Sequence, residues 1–130
     1  MEVRQKLRLW GAPDKDAEAI LKQLAKEDYL NEARFAAHYA VSKSRQKGWG
    51  RRKLEQGLRL KGVGDALIAE ALRAIDAGEE EEQLRAAVAK RWERTKEADP
   101  FLRKAKVVRY FVGKGFGADQ VEALLRAMVH

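Results

Sequence analysis

Two parts of the sequence repeat each other at a distance of 53 residues, and this repetition limits the possible folds more than any other feature. The glycines coincide at this offset, since Gly62 falls on Gly115 and Gly64 falls on Gly117. The apolar positions coincide too, and they pair Leu54 with Val107, Leu58 with Phe111, Ile68 with Val121, Ala71 with Leu124, Leu72 with Leu125 and Ile75 with Met128. Coincidental helical periodicity is the alternative, but it does not explain the matching glycines. The pattern predicts supersecondary units that bury their apolar faces by stacking on their neighbours.

A weaker third copy occupies the start of the chain, where Gly11 aligns with Gly62 and Pro13 stands at the position of Gly64. The segments between glycines are rich in Ala, Leu, Glu, Lys and Arg, which favour helices. We therefore predict an all-α fold of tandem three-helix repeats, eight helices in all, that form an elongated, curved helical array. One continuous repeat domain is expected, with a partial first repeat of two helices (1–28), a second three-helix repeat (29–77) and a third three-helix repeat (78–130).

Individual helix ends are predicted from capping residues and glycines. Asn31 is expected to cap a helix that ends before Gly48. Gly78 is expected to close the third helix of the second repeat. Asp99 and Pro100 are expected to be the cap and the first residue of a later helix.

Three tetrapeptides share the form KGxG, with x an apolar residue. KGVG (61–64) and KGFG (114–117) are one feature in two repeats, and each is expected to end a second helix and release a third. KGWG (47–50) instead joins a first helix to a second helix. None of them is a phosphate-binding loop, because the frame GxxxxGK[ST] is absent and no strand is expected before them.

Basic residues are concentrated in residues 43–61, the first basic cluster. This stretch holds eight basic residues and one acidic residue, so its net charge equals the +7 of the whole chain. An anionic partner, either acidic protein or DNA backbone, is predicted to bind there, and an ordinary solvated helix face is the alternative. The predicted binding residues are Arg45, Lys47, Trp49, Arg51, Arg52, Lys53, Arg59 and Lys61, together with a second basic cluster of Arg103, Lys104, Lys106, Arg109 and Lys114 in the matching helix. For Trp49, core packing and stacking on a base are both open.

Residues that could support catalysis or bind a metal are sparse. The absence of cysteine excludes a thiolate metal site and a cysteine nucleophile. His38 and His130 have no ligand or triad spacing, and carboxylates such as Glu18 have basic neighbours such as Lys22 one helical turn away. We predict a protein that is not an enzyme and needs no cofactor, with a helical nuclease as the enzymatic alternative.

The sequence lacks a run of about 18 apolar residues, and residues 1–4 are not followed by the apolar core of a signal peptide. No membrane association is therefore expected. The expected compartment is the cytoplasm, and the expected oligomeric state is a monomer.

Several segments, taken in order, resemble the RecX family of regulatory proteins. They are 29–36 (YLNEARFA), 45–50 (RQKGWG), Leu54, Leu58 and 61–63 (KGV), while 106–111 (KVVRYF) and 114–116 (KGF) are similar to the C-terminal unit of the family. Each segment is loose alone, but their order and spacing are specific, and the match spans nearly the whole chain. Compared with the family pattern, Asn31 replaces an acidic cap, and the sequence is expected to begin inside the first repeat, without the usual leading helix.

The resemblance implies a bacterial cytoplasmic protein that binds RecA protein in the groove of its filament on single-stranded DNA. Such a protein inhibits filament extension and the recombinase, ATPase and coprotease activities of RecA, and so modulates recombination, DNA repair and the SOS response. The resemblance implies no cofactor. The alternative function is a basic helical DNA-binding protein that acts independently of RecA.

Overall fold

The computed structural model describes residues 14–128, which fold into six α-helices. The helices are α1 (Asp14–Lys47), α2 (Arg51–Leu60), α3 (Asp65–Arg73), α4 (Ala77–Arg94), α5 (Pro100–Gly113) and α6 (Ala118–Met128). Residues 14–128 contain no strand, and the predicted all-α fold is confirmed. The predicted turn at Gly11 and Pro13, with the helix before it, lies outside these residues.

α1 continues without a break past the position at which the sequence analysis predicted the start of a new helix. The prediction that Asn31 is an N-cap is wrong, because Asn31 lies inside α1. From residue 14 to residue 47 the sequence has no glycine or proline, and most of its residues favour a helix. An internal asparagine costs only about 0.7 kcal/mol relative to alanine, which is too little to end the helix. Two of the eight predicted helices are therefore one.

The chain forms two compact units, Met1–Phe35 and Ala36–His130. In the described part of the first unit, Ala17 of α1 is buried. The second unit contains the rest of α1 and helices α2 to α6. All the surfaces discussed below lie within the second unit.

The predicted repetition is confirmed by the helices and buried residues of the second unit. α3 begins at Asp65, and α6 begins 53 residues later at Ala118. Equivalent apolar positions are buried in both copies, namely Leu54 and Val107, Leu58 and Phe111, Val63 and Phe116, and Ile68 and Val121. The boundaries drawn at residues 28 and 77 stay predictions.

The tetrapeptides KGVG and KGFG end α2 and α5 in the same way. Gly62 and Gly115 have φ angles of +83° and +103°, which L side chains rarely adopt. The N–H of Val63 donates to the carbonyl oxygen of Leu58 at 3.0 Å, and Phe116 makes the equivalent bond at the same length. This is the Schellman motif, in which the residue after the left-handed glycine packs back onto the helix. The apolar residue of each KGxG is therefore a buried part of a helix stop, and the predicted role of these glycines is confirmed.

Two aspartates cap the helices of the last repeat. Asp99 accepts a hydrogen bond from a first-turn N–H at 2.9 Å, and Pro100 is the first residue of α5, as predicted. The prediction that Gly78 closes a helix is wrong, because Gly78 lies in the first turn of α4. Asp76 caps α4 by accepting from the N–H of Glu79 at 3.0 Å, which outweighs the helix-ending tendency of one glycine.

One hydrophobic core fixes the arrangement of α4, α5 and α6. Its buried members are Leu84, Val88, Val107, Phe111, Phe116, Val121 and Leu125. Trp92 and Tyr110 are partly buried and pack against it. This core holds α4 beside α5, so the outward side chains of the two helices are kept at fixed positions.

Candidate functional site

The first basic cluster is built on a junction between the two repeats. The backbone N–H of Gly50, in KGWG, donates to the carbonyl oxygen of Lys114 at 2.7 Å, and the N–H of Arg52 donates to that of Gly115 at 3.1 Å. The turn after α5 thus supplies acceptors for N–H groups at the start of α2, which have no partner within their own helix. Gly50 and Gly115 are both buried. KGWG is therefore a docking point between repeats as well as a link between two helices.

Trp49 is partly buried and packs against a neighbouring ring, and its predicted role in binding stays a prediction. Its half-buried ring meets the ring of Tyr39 edge to face, with centroids 6.3 Å apart. The ammonium groups of Lys43 and Lys53 lie over the Trp49 ring, at 5.4 Å and 4.8 Å from its centroid. These contacts hold the indole and the two lysines together by packing and cation–π attraction.

Several arginines of the first basic cluster are paired with carboxylates. The ion pairs join Arg45 to Glu79 at 3.2 Å, Arg51 to Glu80 at 3.3 Å, and Arg59 to Glu55 at 2.7 Å and to Asp65 at 3.3 Å. Arg51 also donates to the carbonyl oxygen of Leu72 at 3.1 Å, so its guanidinium is tied into the fold. Among the described residues, Arg52 and Lys61 are exposed and pair with no carboxylate. The local charge is thus smaller and less uniform than the sequence count indicates.

The second basic cluster is similarly divided. Arg103 lies over the ring of Trp92, 4.3 Å from its centroid, and donates to the carbonyl oxygen of Trp92 near the end of α4. Lys106 is paired with Glu97 at 3.1 Å. Lys104 and Arg109 have no ion pair within the described part of the chain. Arg103 therefore helps to hold α5 on α4, and its predicted binding role stays a prediction.

A groove in the second unit brings together basic residues that are distant in the sequence. It has a volume of about 310 Å³ and lies between the end of α1, α4 and α5. Its lining consists of Gln46, Lys47, Gly48, Ala87, Lys90, Arg91, Arg94, Tyr110, Phe111 and Lys114. We call it the basic groove, because none of the described residues that line it is acidic. It combines one predicted residue from each cluster, Lys47 and Lys114, with three basic residues of α4.

Sequence reasoning missed the α4 contribution of Lys90, Arg91 and Arg94. These three residues lie on one face of the helix. Positions that are one, three or four residues apart are separated by no more than about a third of a turn around the helix axis. The sequence signal was the run KRWER at 90–94, in which the one acidic residue lowers the net charge of the stretch. Glu93 itself does not line the groove, although it lies only three positions from Lys90, so the net charge of the stretch hid the three cations that do.

A scan against protein-family models finds two matches. Residues 31–72 match the second three-helix domain of RecX, and residues 79–125 match its third three-helix domain. The regulatory protein RecX of Prosthecochloris aestuarii is 32% identical over 130 residues, which cover 95% of this chain and 80% of that protein. This chain belongs to the RecX family.

Other RecX proteins agree with this assignment. That of Streptomyces coelicolor is 29% identical over 125 residues, covering 96% of this chain and 66% of its own length, so the chain spans slightly less than two thirds of that relative. The crystal structure of RecX from Lactobacillus salivarius has the same fold, with a TM-score of 0.70 at 21% identity, over 97% of this chain and 82% of that one. This chain and the Lactobacillus salivarius protein therefore share one fold.

The two RecX domains contribute unequally to the surfaces. The first basic cluster lies in the second RecX domain, 31–72, whereas the basic groove takes Lys47 from that domain and its other four cations from the third domain, 79–125. The groove therefore requires both domains. Among the described residues no cluster of carboxylates and histidines could hold a metal ion. No described helix is long and apolar enough to cross a membrane.

The ion pair between Lys106 and Glu97 gives a prediction about pH. The hydrogen bond and the charge of Lys106 lower the pKa of Glu97. Because the folded-state pKa is lowered, the stabilisation is present above the ordinary pKa of glutamate and is lost as the pH falls through the lowered value. We expect Lys106→Met to raise the pKa of Glu97 toward its ordinary value, as measured by NMR titration. The difference in unfolding free energy between the variant and the parent should vanish at acid pH, and a difference that persists there would contradict this pairing.

Proposed function

We propose that this protein is a regulator that binds RecA and the RecA filament on single-stranded DNA in the bacterial cytoplasm, acting as a monomer. Binding inhibits filament extension and the recombinase, ATPase and coprotease activities of RecA. The observation that supports this function most is membership of the RecX family, whose relatives carry the name regulatory protein RecX. The two matches, at residues 31–72 and 79–125, extend over most of the chain rather than over one motif. We propose no catalytic role and no cofactor.

The first basic cluster is the surface that we propose for RecA. It presents charges of both signs, because Arg59 stands between Glu55 and Asp65. Next to these residues, Leu60 is 88% exposed. A mixture of paired charges, free cations and an exposed apolar side chain is typical of contacts with protein, which presents both charges and apolar groups.

The direct test adds the protein to RecA assembled on single-stranded DNA and measures ATP turnover together with filament length. We expect turnover to fall and filaments to shorten as the protein is added. Unchanged turnover and length at saturating protein would contradict the proposed function.

A variant then tests the proposed surface. We expect Arg52→Glu with Lys61→Glu to raise the protein concentration needed for half-inhibition of RecA by about tenfold, which corresponds to about 1.4 kcal/mol of lost affinity. Both side chains are exposed and pair with no carboxylate among the described residues, so the fold should not change. The matched control is Lys104→Glu with Arg109→Glu, which reverses two unpaired cations of the second basic cluster. Equal loss in both variants would mean that net charge, and not this surface, supports inhibition.

A further inference from the structure

The basic groove holds five cations and, among the described residues that line it, no acid. Lys47, Lys90, Arg91 and Arg94 pair with no carboxylate within the described residues, and Lys114 donates to the main-chain carbonyl of Lys47 at 3.3 Å. Most arginines of the first basic cluster, in contrast, have a carboxylate within 3.3 Å. Five cations that converge on one groove without an acid repel each other, and binding an anion relieves that repulsion.

Arg91 and Tyr110 give the groove an ordered floor. The guanidinium carbon of Arg91 lies 3.7 Å from the centre of the Tyr110 ring, which is a stacking distance. The ammonium group of Lys114 lies 5.7 Å from the same ring. A guanidinium that packs on an aromatic ring is held in place by that ring, and its planar set of N–H donors can bind a phosphate through two hydrogen bonds.

The shape of the groove favours a chain of phosphates over a single anion. It is open, its cations come from α1, α4 and the turn after α5, and the partly buried ring of Tyr110 lies among them. A positive groove that also holds an aromatic ring is the kind of site that single-stranded nucleic acid binds, with the backbone along the cations. An acidic protein surface would also present negative charge, but the described lining of the groove offers no carboxylate for the cations that such a surface also carries.

We propose that the basic groove binds the phosphodiester backbone of single-stranded DNA directly, without RecA. This goes beyond the proposed regulation, which requires only that the protein contact RecA. The groove uses Lys47, Lys90, Arg91, Arg94 and Lys114, so up to about five phosphates are neutralised, and the logarithm of the binding constant should fall with the logarithm of salt concentration with a slope of about −3.5.

The test measures binding of fluorescein-labelled oligothymidylate by anisotropy across a series of salt concentrations, with RecA absent. In Lys90→Gln with Arg94→Gln, two contacts are lost, so the slope should become about −2 and the affinity at about 0.1 M salt should fall by about 25-fold. The matched control, Arg52→Gln with Lys61→Gln, removes the same charge from exposed, unpaired cations of the first basic cluster. It should change the affinity by less than about threefold, because these residues lie outside the groove.

Three results would overturn the proposal. The first is no binding of the oligonucleotide by the parent protein at low salt. The second is an equal loss of affinity in the groove variant and the control, which would assign binding to net charge. The third is displacement of the oligonucleotide by poly-glutamate at equal charge concentration, which would indicate an acidic protein as the occupant. RecA inhibition is measured separately, so a protein that inhibits RecA but binds no oligonucleotide disproves the groove proposal and leaves the regulatory function intact.

Discussion

Replacing Gly115 by alanine is expected to destabilise the protein by about 3 kcal/mol or more. Two separate costs add here. The φ angle of +103° is one that an alanine adopts only with strain. A methyl group at this position would also lie 2.6 Å from the backbone nitrogen and from Cβ of Lys53, at the start of α2. A backbone neighbour cannot rotate away, so α2 would have to move off the turn that follows α5.

The same residue in the other repeat provides the matched control for Gly115→Ala. Gly62 also has a positive φ angle, but a methyl group added to it would have no neighbour within 4 Å. Gly62→Ala should therefore show the conformational cost alone, about 1 kcal/mol. Urea unfolding followed by circular dichroism gives both values. Equal losses in the two variants would show that crowding at the repeat junction contributes nothing.

Replacing Arg51 by glutamate is expected to destabilise the protein by about 2 kcal/mol. Arg51 joins α2 to Glu80 of α4 and to the carbonyl oxygen of Leu72 in α3. The side chain of Glu80 is only 13% exposed, and its second carboxylate oxygen is buried with no hydrogen-bond partner among residues 14–128. Without Arg51 this carboxylate would lose its ion pair, and the new glutamate would add a second negative charge beside it. Because Arg51 itself is 41% exposed, the expected loss is smaller than for a fully buried pair.

The neighbouring residue in the sequence serves as the control for Arg51→Glu. Arg52→Glu makes the same change of charge, but Arg52 is exposed and pairs with no carboxylate among the described residues. A glutamate in the first turn of α2 is favoured by the helix dipole, so we expect a change within about 0.5 kcal/mol of zero. Thermal and urea unfolding of the two variants should separate them clearly. If both variants lost stability equally, the bridge between α2 and α4 would not be a stabilising contact.

These expectations change how a charge-reversal experiment on the first basic cluster should be designed. A triple reversal of Arg51, Arg52 and Lys53 is the choice that the sequence alone suggests. In the structure, Arg51 connects three helices and Lys53 lies over the Trp49 ring, so this variant would disturb the fold and the surface together. Reversal of Arg52 and Lys61 tests the surface without that complication.

Local signals accounted for most of the fold. The aspartate cap and the proline at the start of α5, and the glycines that end α2 and α5, act within one helical turn, so their sequence positions suffice to predict them. The errors at Asn31 and Gly78 are also local. At Asn31 the weak preference for a helix end competed with the long run of helix-forming residues in α1. At Gly78 it competed with the Asp76 cap of α4.

The candidate surfaces were less predictable, because charge in a sequence window does not say which cations are already paired. The carboxylates that neutralise Arg45 and Arg51 are Glu79 and Glu80, which lie about 30 residues away in the sequence and in another helix. The groove cations of α4 stand beside Glu93 in the sequence, but Glu93 does not line the groove. Both effects require the positions of whole helices.

The sequence by itself determined that the chain is helical, that its helices repeat at an interval of 53 residues, and that it belongs with RecX proteins. These properties depend on periodicity and on residues within a turn of each other, which a linear pattern records. Only the tertiary structure decided that Gly50 and Gly115 meet at the repeat junction, which arginines are neutralised, and that one groove is lined by five cations with no carboxylate partner in the described part of the chain. The physical reason is that close packing and Coulomb forces act over a few ångströms in space, between residues that the chain brings together only after it has folded.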